Sequence, residues 1–364
     1  MRGPLAGGVF VSAAGDDDAA ELHRLVEDIG RRAFEARAGR ERRPEQFDEK
    51  LWRTLEETGL ARLTSTPDLG AGPTEIAVVL RGLARYAAAV PIAETDLLAA
   101  WLAGEADVAV PESGPLTVAP ARAKIDGPRL IGVAPRVPWT RAAVAVLLVA
   151  ETADGLYVGK LDDIQIHEGH NLAGEPRDRI SFDLALGSLR QLNPSVGEQF
   201  RRRGALARCV QILGALDAAA EQSVAHTRER VQFGRPLSQF QAVQHALAAM
   251  AGEIETARAA ATLAVAAAAD YGFDADQTDY AITVAKVVVG RAVEPVTRIA
   301  QQLHGAIGAT AEHSLGLSTL RAQSWSTEFG STAEYARRLG RMALAAARDQ
   351  TALWDLAIGI HPNR

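Results

Sequence analysis

Apolar residues recur at helical spacing through most of this chain. In the second half, Leu206, Val210, Leu213, Ala220 and Val224 are separated by three, four or seven positions, which places them on one helix face. Val243, Leu247, Met250 and Ile254 mark the next helix over residues 240–269, and residues 280–303 and 332–356 read as two more. Long helices joined by short turns predict an antiparallel four-helix bundle over residues 193–364. Its abundant alanine lets helices approach closely and leaves broad flat faces for contact with another subunit.

The first stretch, residues 17–112, also reads as helical. Asp16 to Asp18 supply capping and negative charge at a helix start, and Leu22, Leu25, Val26 and Ile29 form an apolar stripe. Phe47, Leu51, Trp52 and Leu55 follow, with Gly59 as the stop. Gly70 to Pro73 is a loop, residues 76–88 are helical, Pro91 breaks them, and residues 93–103 form another helix. Over residues 113–192 the period changes. Short β-prone runs at 116–119, 129–133, 142–150, 156–161 and 179–184 are separated by Asp126-Gly127, Asp154-Gly155 and Gly169. The fold class is therefore mainly α with a β insert.

Composition narrows the function classes. The chain has 364 residues, 48% hydrophobic and 23% charged, with a net charge of −6. That balance argues against a nucleic-acid binder, which needs a basic face. The single cysteine, Cys209, cannot form an intrachain disulfide, fits a reducing cytoplasm, and lies in an apolar helical run as a small buried residue. No apolar run reaches membrane-spanning length, so no membrane partner is expected. Residues 1–16 read as a flexible leader. No P-loop, CxxC pair or HExxH is present, and no metal is expected.

The most informative stretch is residues 228–250, RERVQFGRPLSQFQAVQHALAAM. Gly234 relaxes the backbone after a helix end, Pro236 cannot continue that helix, and Ser238 with Gln241 three residues on reads as the N-cap of the next. Arg230 and Arg235 at this corner are either solvated helix ends or phosphate ligands, for which a planar guanidinium is well suited.

Arg230, Phe233-Gly234, Pro236, Phe240-Gln241 and Gln244 resemble the central signature of the acyl-CoA dehydrogenase family. A second stretch, Gln301 to Glu312, resembles that family's Q-x-x-G-G-x-G-x-x-x-E, with Ala306 in place of one glycine. The helices around Trp52 and Ile92, and Asn171 to Pro176 with Phe182-Asp183, are similar to the family's first and middle domains. The resemblance implies an N-terminal helical domain, a small, shortened middle β-barrel or sandwich and a C-terminal antiparallel four-helix bundle. It also implies FAD-dependent α,β-desaturation of an acyl-CoA thioester. A carboxylate removes the α-proton while hydride leaves the β-carbon, and hydrogen bonds at the thioester carbonyl stabilise the enolate-like transition state. Arg230, Phe233, Gln241, Gln302 and Gly305 would face an FAD held chiefly by a neighbouring subunit. The implied partners are acyl-CoA, a homologous acyl-CoA dehydrogenase subunit or a second copy of the chain, and an electron-transfer acceptor.

Two parts of the family pattern are missing. Nothing between Ala106 and Thr140 resembles the T-E-P-x-x-G-S-D stretch that holds the flavin ring. Val137 to Thr140 offers an aromatic, Trp139, either as a flavin neighbour or as packing. The catalytic glutamate would sit at Phe329, with Glu328 one residue out of register, or near Gly204, where no carboxylate stands. The basic run Arg201 to Arg203 reads as a solvated face, a contact for a CoA phosphate, or a match for an acidic partner. This pattern resembles the base-lacking subunit of heteromeric α2β2 acyl-CoA dehydrogenases. The alternatives are a self-sufficient homo-oligomeric dehydrogenase using Glu328, and a non-enzymatic scaffold that has lost flavin.

Overall fold

A computed structural model describes residues 17–37, 44–162, 164–310 and 313–348. The expected leader at 1–16, Glu312 and the end of the last expected helix past 348 lie outside the described residues. Those described cluster into two units, one of residues 44–72 and 89–204, the other of 17–37, 73–88 and 205–348. Helix α5, Pro194–Glu229, contributes its start to the first and its remainder to the second.

The first unit contains helix α2, Glu49–Glu57. Asp48 caps it by accepting the Leu51 N–H at 3.0 Å. Phe47, just before the cap, packs on Trp52 with ring centroids 5.9 Å apart, a hydrophobic staple that fixes the entry of the chain. Gly59, at φ 75°, ends this segment as its sequence predicts. The helix expected at residues 93–103 is π-helical over Ala93–Ala100 and becomes α4 at Trp101–Ala106. Buried Asp96 in the π segment accepts the Thr64 and Ser65 N–H groups at 3.0 and 2.9 Å, which ties the chain after α2 to it. Periodicity does not distinguish a π turn from an α turn over so few residues.

The β insert is one seven-stranded sheet in the order β5-β6-β2-β1-β3-β4-β7. Its strands are β1 Leu116–Asp126, β2 Arg129–Pro138, β3 Ala145–Thr152, β4 Gly155–Lys160, β5 Gln165–His167, β6 Arg177–Ala185 and β7 Arg190–Leu192. Neighbours are antiparallel except β1 and β3, which run parallel from Leu116↔Ala145 to Arg122↔Glu151. The first six residues of β3 are all buried, which is why its sequence is a continuous apolar run rather than an alternation. Leu130, Ala134, Val137, Leu148, Ile180 and Phe182 form the core on this sheet. The short β5 and β7 carry no sequence signal of their own.

In the second unit, α1 (Asp17–Ala36) buries Val26 and Ile29 and leaves Leu25 exposed. Helix α3 (Pro73–Arg85) starts on proline, whose missing N–H is one of the donors a first turn leaves unpaired. The bundle is α5, α6 (Gln241–Tyr271), α7 (Asp276–His304) and α9 (Thr332–Arg348). Residues 205–210 of α5 are all buried, so this is a central helix surrounded by its neighbours. Asp217 binds Arg81 at 2.7 Å and Arg258 at 2.8 Å, which pins α3 and α6 to α5. Ala257, Ala261 and Ala264 are fully buried on α6, the close approach the alanine content predicts. One helix the periodicity does not predict, α8 (Leu315–Trp325), buries Ser318, Thr319 and Arg321 beside its apolar residues, which erases the stripe. Among the described residues no helix is long and apolar enough to cross a membrane.

Candidate functional site

The Arg230 corner is a hairpin. Strand β8, Val231–Gln232, pairs with β9, Arg235–Pro236, with Gln232 opposite Arg235. The two residues between them, Phe233 at φ 53° and Gly234 at φ 80°, are both left-handed, as a type I′ loop requires. The Leu237 N–H closes back on the Arg230 carbonyl at 2.9 Å. Phe233 is 91% exposed, edge-on to Phe240 at 6.2 Å, and Arg235 lies over the Phe240 ring at 4.1 Å. Arg230 and Gln241 are exposed. Ser238 is not the N-cap. Leu237–Gln239 already forms a 3-10 turn, so Ser238 lacks the extended backbone a cap needs, and Phe240 stands at the cap position of α6. The Ser238 carbonyl instead accepts the Gln244 amide at 3.0 Å.

The second corner is the end of α7. Gln302 is exposed in its last turn, and Gly305 caps the helix at φ 64°, ψ −144°. A Cβ on Gly305 would meet nothing within 4 Å, so this backbone is open to an approaching group. Gly308 serves packing instead, since a Cβ there would stand 2.7 Å from the His304 Cβ. Ala306, where the family motif has glycine, is exposed. One contact brings the two corners together within this chain. His226, one turn before Arg230, stacks on His304, two residues after Gln302, at 4.5 Å and 24°. Neither motif announces that contact in sequence.

The loop after α8 carries the expected base positions. The Glu328 carboxylate accepts the Arg208 Nε–H at 2.7 Å, and the Arg208 side chain is 2% exposed. Arg208 also donates to the Gln211 amide oxygen at 2.5 Å and lies 5.8 Å from the Phe329 ring centroid. Phe329 is left-handed at φ 53°. Buried Lys286 holds the loop backbone, donating to the Ser326 and Glu328 carbonyls at 3.3 and 2.9 Å. Burial pushes its ammonium below the usual lysine range, opposed in part by Cys209 and Glu328. Cys209 is fully buried, and burial raises its thiol to about 11.

Gly204 is buried in α5. In the sheet unit, Arg201 pairs with Glu151, Arg202 meets Glu198 at 3.6 Å, and Arg203 lies 4.2 Å over the Trp101 ring. Burial lowers the Arg203 pKa to about 10. Between residues 106 and 140 the side-chain hydroxyls are those of Ser113, Thr117 and Thr140. Thr117 and Thr140 are buried and donate to the Pro138 and Val137 carbonyls, at 2.6 and 3.4 Å. Trp139, at φ 55° and 3% exposed, packs edge-on against Phe47 at 6.5 Å.

Residues 199–345 match the family described as acyl-CoA dehydrogenase, C-terminal domain. The acyl-CoA dehydrogenase IpdE2 of Mycolicibacterium smegmatis is 28% identical over 304 residues, covering 80% of this chain and 88% of that protein. A chain of the ChsE4-ChsE5 complex from Mycobacterium tuberculosis has the same fold, with a TM-score of 0.78 and 24% identity over 91% of this chain and 98% of that one. A variant of the Tcur3481-Tcur3483 steroid ACAD aligns at a TM-score of 0.79 and 27% identity, over 90% of this chain and 99% of that one. The corners at the ends of α5 and α7, the match of residues 199–345 and this likeness over nine-tenths of the chain agree: the helical bundle matches the acyl-CoA dehydrogenase C-terminal domain, and the chain shares the fold of acyl-CoA dehydrogenases.

Proposed function

We propose that this chain is one subunit of a heteromeric acyl-CoA dehydrogenase, completing an FAD site that a homologous partner chiefly holds, while the partner supplies the catalytic base. The observation that carries this reading is the loop at Glu328. Phe329 stands where the sequence resemblance puts the family's glutamate, and the adjacent Glu328 is committed to Arg208 at 2.7 Å. A base needs a free lone pair and a pKa near the working pH, and a charge-assisted bond to a buried guanidinium works against both.

The exposed groups at the two corners fit a dinucleotide arriving from outside the chain. Arg230 is a fork of N–H donors suited to phosphate oxygens. The Gln302 amide donates and accepts, which suits a diphosphate or ribose edge. Gly305 lets main chain come close, Gln241 adds a second exposed amide, and the Phe233 ring offers apolar area without a place in this chain's own core. When bound, FAD supplies the hydride acceptor for desaturation. In the sheet unit, the two buried hydroxyls of residues 106–140 are spent on main-chain carbonyls, which supports the reading that the ring is held elsewhere. The relatives named as a ChsE4-ChsE5 complex and as a Tcur3481-Tcur3483 pair support a heteromeric arrangement.

The test is coexpression with the homologous dehydrogenase subunit encoded beside it. Flavin absorbance and acyl-CoA-dependent dye reduction are expected from the pair and not from the chain alone, with a mixed oligomer in native mass spectrometry. Arg230→Ala or Gln302→Ala in the pair is expected to lower flavin retention. Full flavin content and turnover from the isolated chain would overturn the proposal.

A further inference from the structure

Three imidazoles meet in the helical unit: His226 in the last turn of α5, His304 at the end of α7 and His313 just before α8. His226 stacks on His304 at 4.5 Å, and His313 meets the same ring edge-on at 4.9 Å. His304 is 5% exposed, its Nδ1 is 2.8 Å from the Ala300 carbonyl, and its buried Nε2 has no hydrogen-bond partner among the described residues. Since a carbonyl only accepts, Nδ1 carries the proton and Nε2 a lone pair. His313 has the other tautomer, because its Nδ1 accepts the Leu315 N–H at 3.1 Å. One ring pair is stacked and the other edge-on, and among the described residues no group of three or more His, Cys, Asp or Glu is set to hold a metal ion.

We propose that the His226–His304–His313 stack positions the Arg230 corner against the Gln302–Gly305 corner, and does so only while its rings are uncharged, so that acid releases the dinucleotide-facing edge of this chain. The His304 ring is buried between the two other imidazoles. Protonating His226 or His313 would set a cation against the face or edge of that ring. Burial first, then the neighbouring imidazoles, hold His226 and His313 below the usual histidine range. The charged groups acting on His226 from α5 are Arg230, which opposes its protonation, and Glu229, which favours it. On His313 they are His304 of α7 and His226 of α5. Glu312, beside His313 in sequence, lies outside the described residues. The sign follows. Native pKa values below the unfolded one mean that the unfolded or opened state binds more protons, so the tie is intact above about pH 6.5 and is lost as pH falls through the depressed values.

The inference rests on the reading of these corners as cofactor-facing, but its test does not. Hydrogen exchange of the full chain, corrected for intrinsic rates, is followed over residues 226–240 and 301–315 at about pH 7.5 and pH 5.5, on either side of the histidine range. Protection there should fall about tenfold in acid, the value for one imidazole that the opened state protonates near pH 6.5 and the closed state keeps neutral. His226→Phe keeps a flat ring in the stack, and His313→Asn keeps an acceptor for the Leu315 N–H. Together they should remove most of the acid effect. Unchanged protection in the unaltered chain, or equal acid opening in the doubly substituted chain, overturns the proposal. Should the variants not fold, the imidazole C–H resonances of the unaltered chain decide. Midpoints below about 6.5 that track loss of protection support the stack, and midpoints at or above it sink it. Failure of the coexpressed pair to take up flavin at any pH would defeat the heteromeric reading alone.

Discussion

Replacing Glu328 by glutamine separates a structural carboxylate from a catalytic one. The Arg208 guanidinium it serves is 2% exposed, and Glu328 itself is 19% exposed, so solvent does little to replace the lost charge. A unit pair about 4 Å between charge centres is worth about 4 kcal/mol at the effective dielectric of a protein site. The amide oxygen of glutamine keeps a neutral acceptor, and Gln211 remains at 2.5 Å, so part of this is retained. Breaking a buried pair from one side costs about 3–5 kcal/mol, and about 3 kcal/mol is expected here. With a urea slope of about 3 kcal/mol per molar, the midpoint should fall by about 1 M. Replacing both partners, Arg208→Met with Glu328→Met, removes the stranded charge and should restore most of the loss. The assay is urea unfolding of the chain alone, paired with turnover of the coexpressed complex, where Glu328→Gln should act through stability only. Unfolding within about 0.5 kcal/mol of the unaltered chain together with a hundredfold or greater loss of turnover, the size of a lost general base, would refute the reasoning and make Glu328 the base.

Other consequences are as direct. Asp217→Asn should destabilise by about 3 kcal/mol in urea unfolding, because Arg81 and Arg258, held at 2.7 and 2.8 Å, would lose the carboxylate charge they share. Cys209, raised to about 11, should have roughly one thiol in a thousand ionised at about pH 8, so Ellman's reagent should label it only after unfolding. Phe233→Ala should change the isolated chain by no more than about 1 kcal/mol, since the ring is 91% exposed, while weakening flavin retention in the pair. Phe329→Glu should not raise turnover of the coexpressed pair, because Arg208 lies 5.8 Å from the present ring centroid and would capture the new carboxylate; a clear gain in activity would contradict the Arg208 assignment.

Local rules carried the elements whose causes are local. The staple of Phe47 on Trp52 and the stop at Gly59 depend on neighbours a few residues away, and the sequence reads them directly. The helix at Ala93–Ala100 was legible but its π character was not, while helix α8 escaped because its burial comes from surrounding elements and overrides any stripe. At the Arg230 corner the glycine and proline were readable, but the type I′ loop was not. It depends on Phe233 sharing the left-handed region with Gly234, a conformation that phenylalanine does not advertise. Asn-Gly is the usual signal for that loop, and the ladder between Gln232 and Arg235 overrides the preference here.

The candidate site divides along the same line. Residues that would serve a neighbour's cofactor are exposed and belong to short motifs, so their spacing in sequence is sufficient to find them. Whether Glu328 is free to act is decided by Arg208 on another helix, 120 positions away, and no local pattern connects the two. The same is true of His226 and His304, whose stacking joins two segments that no sequence pattern connects. A family signature therefore identifies which groups are presented outward. It does not tell which inward groups have been consumed, and in this chain the consumption of Glu328 by Arg208 is what favours a partner over self-sufficiency.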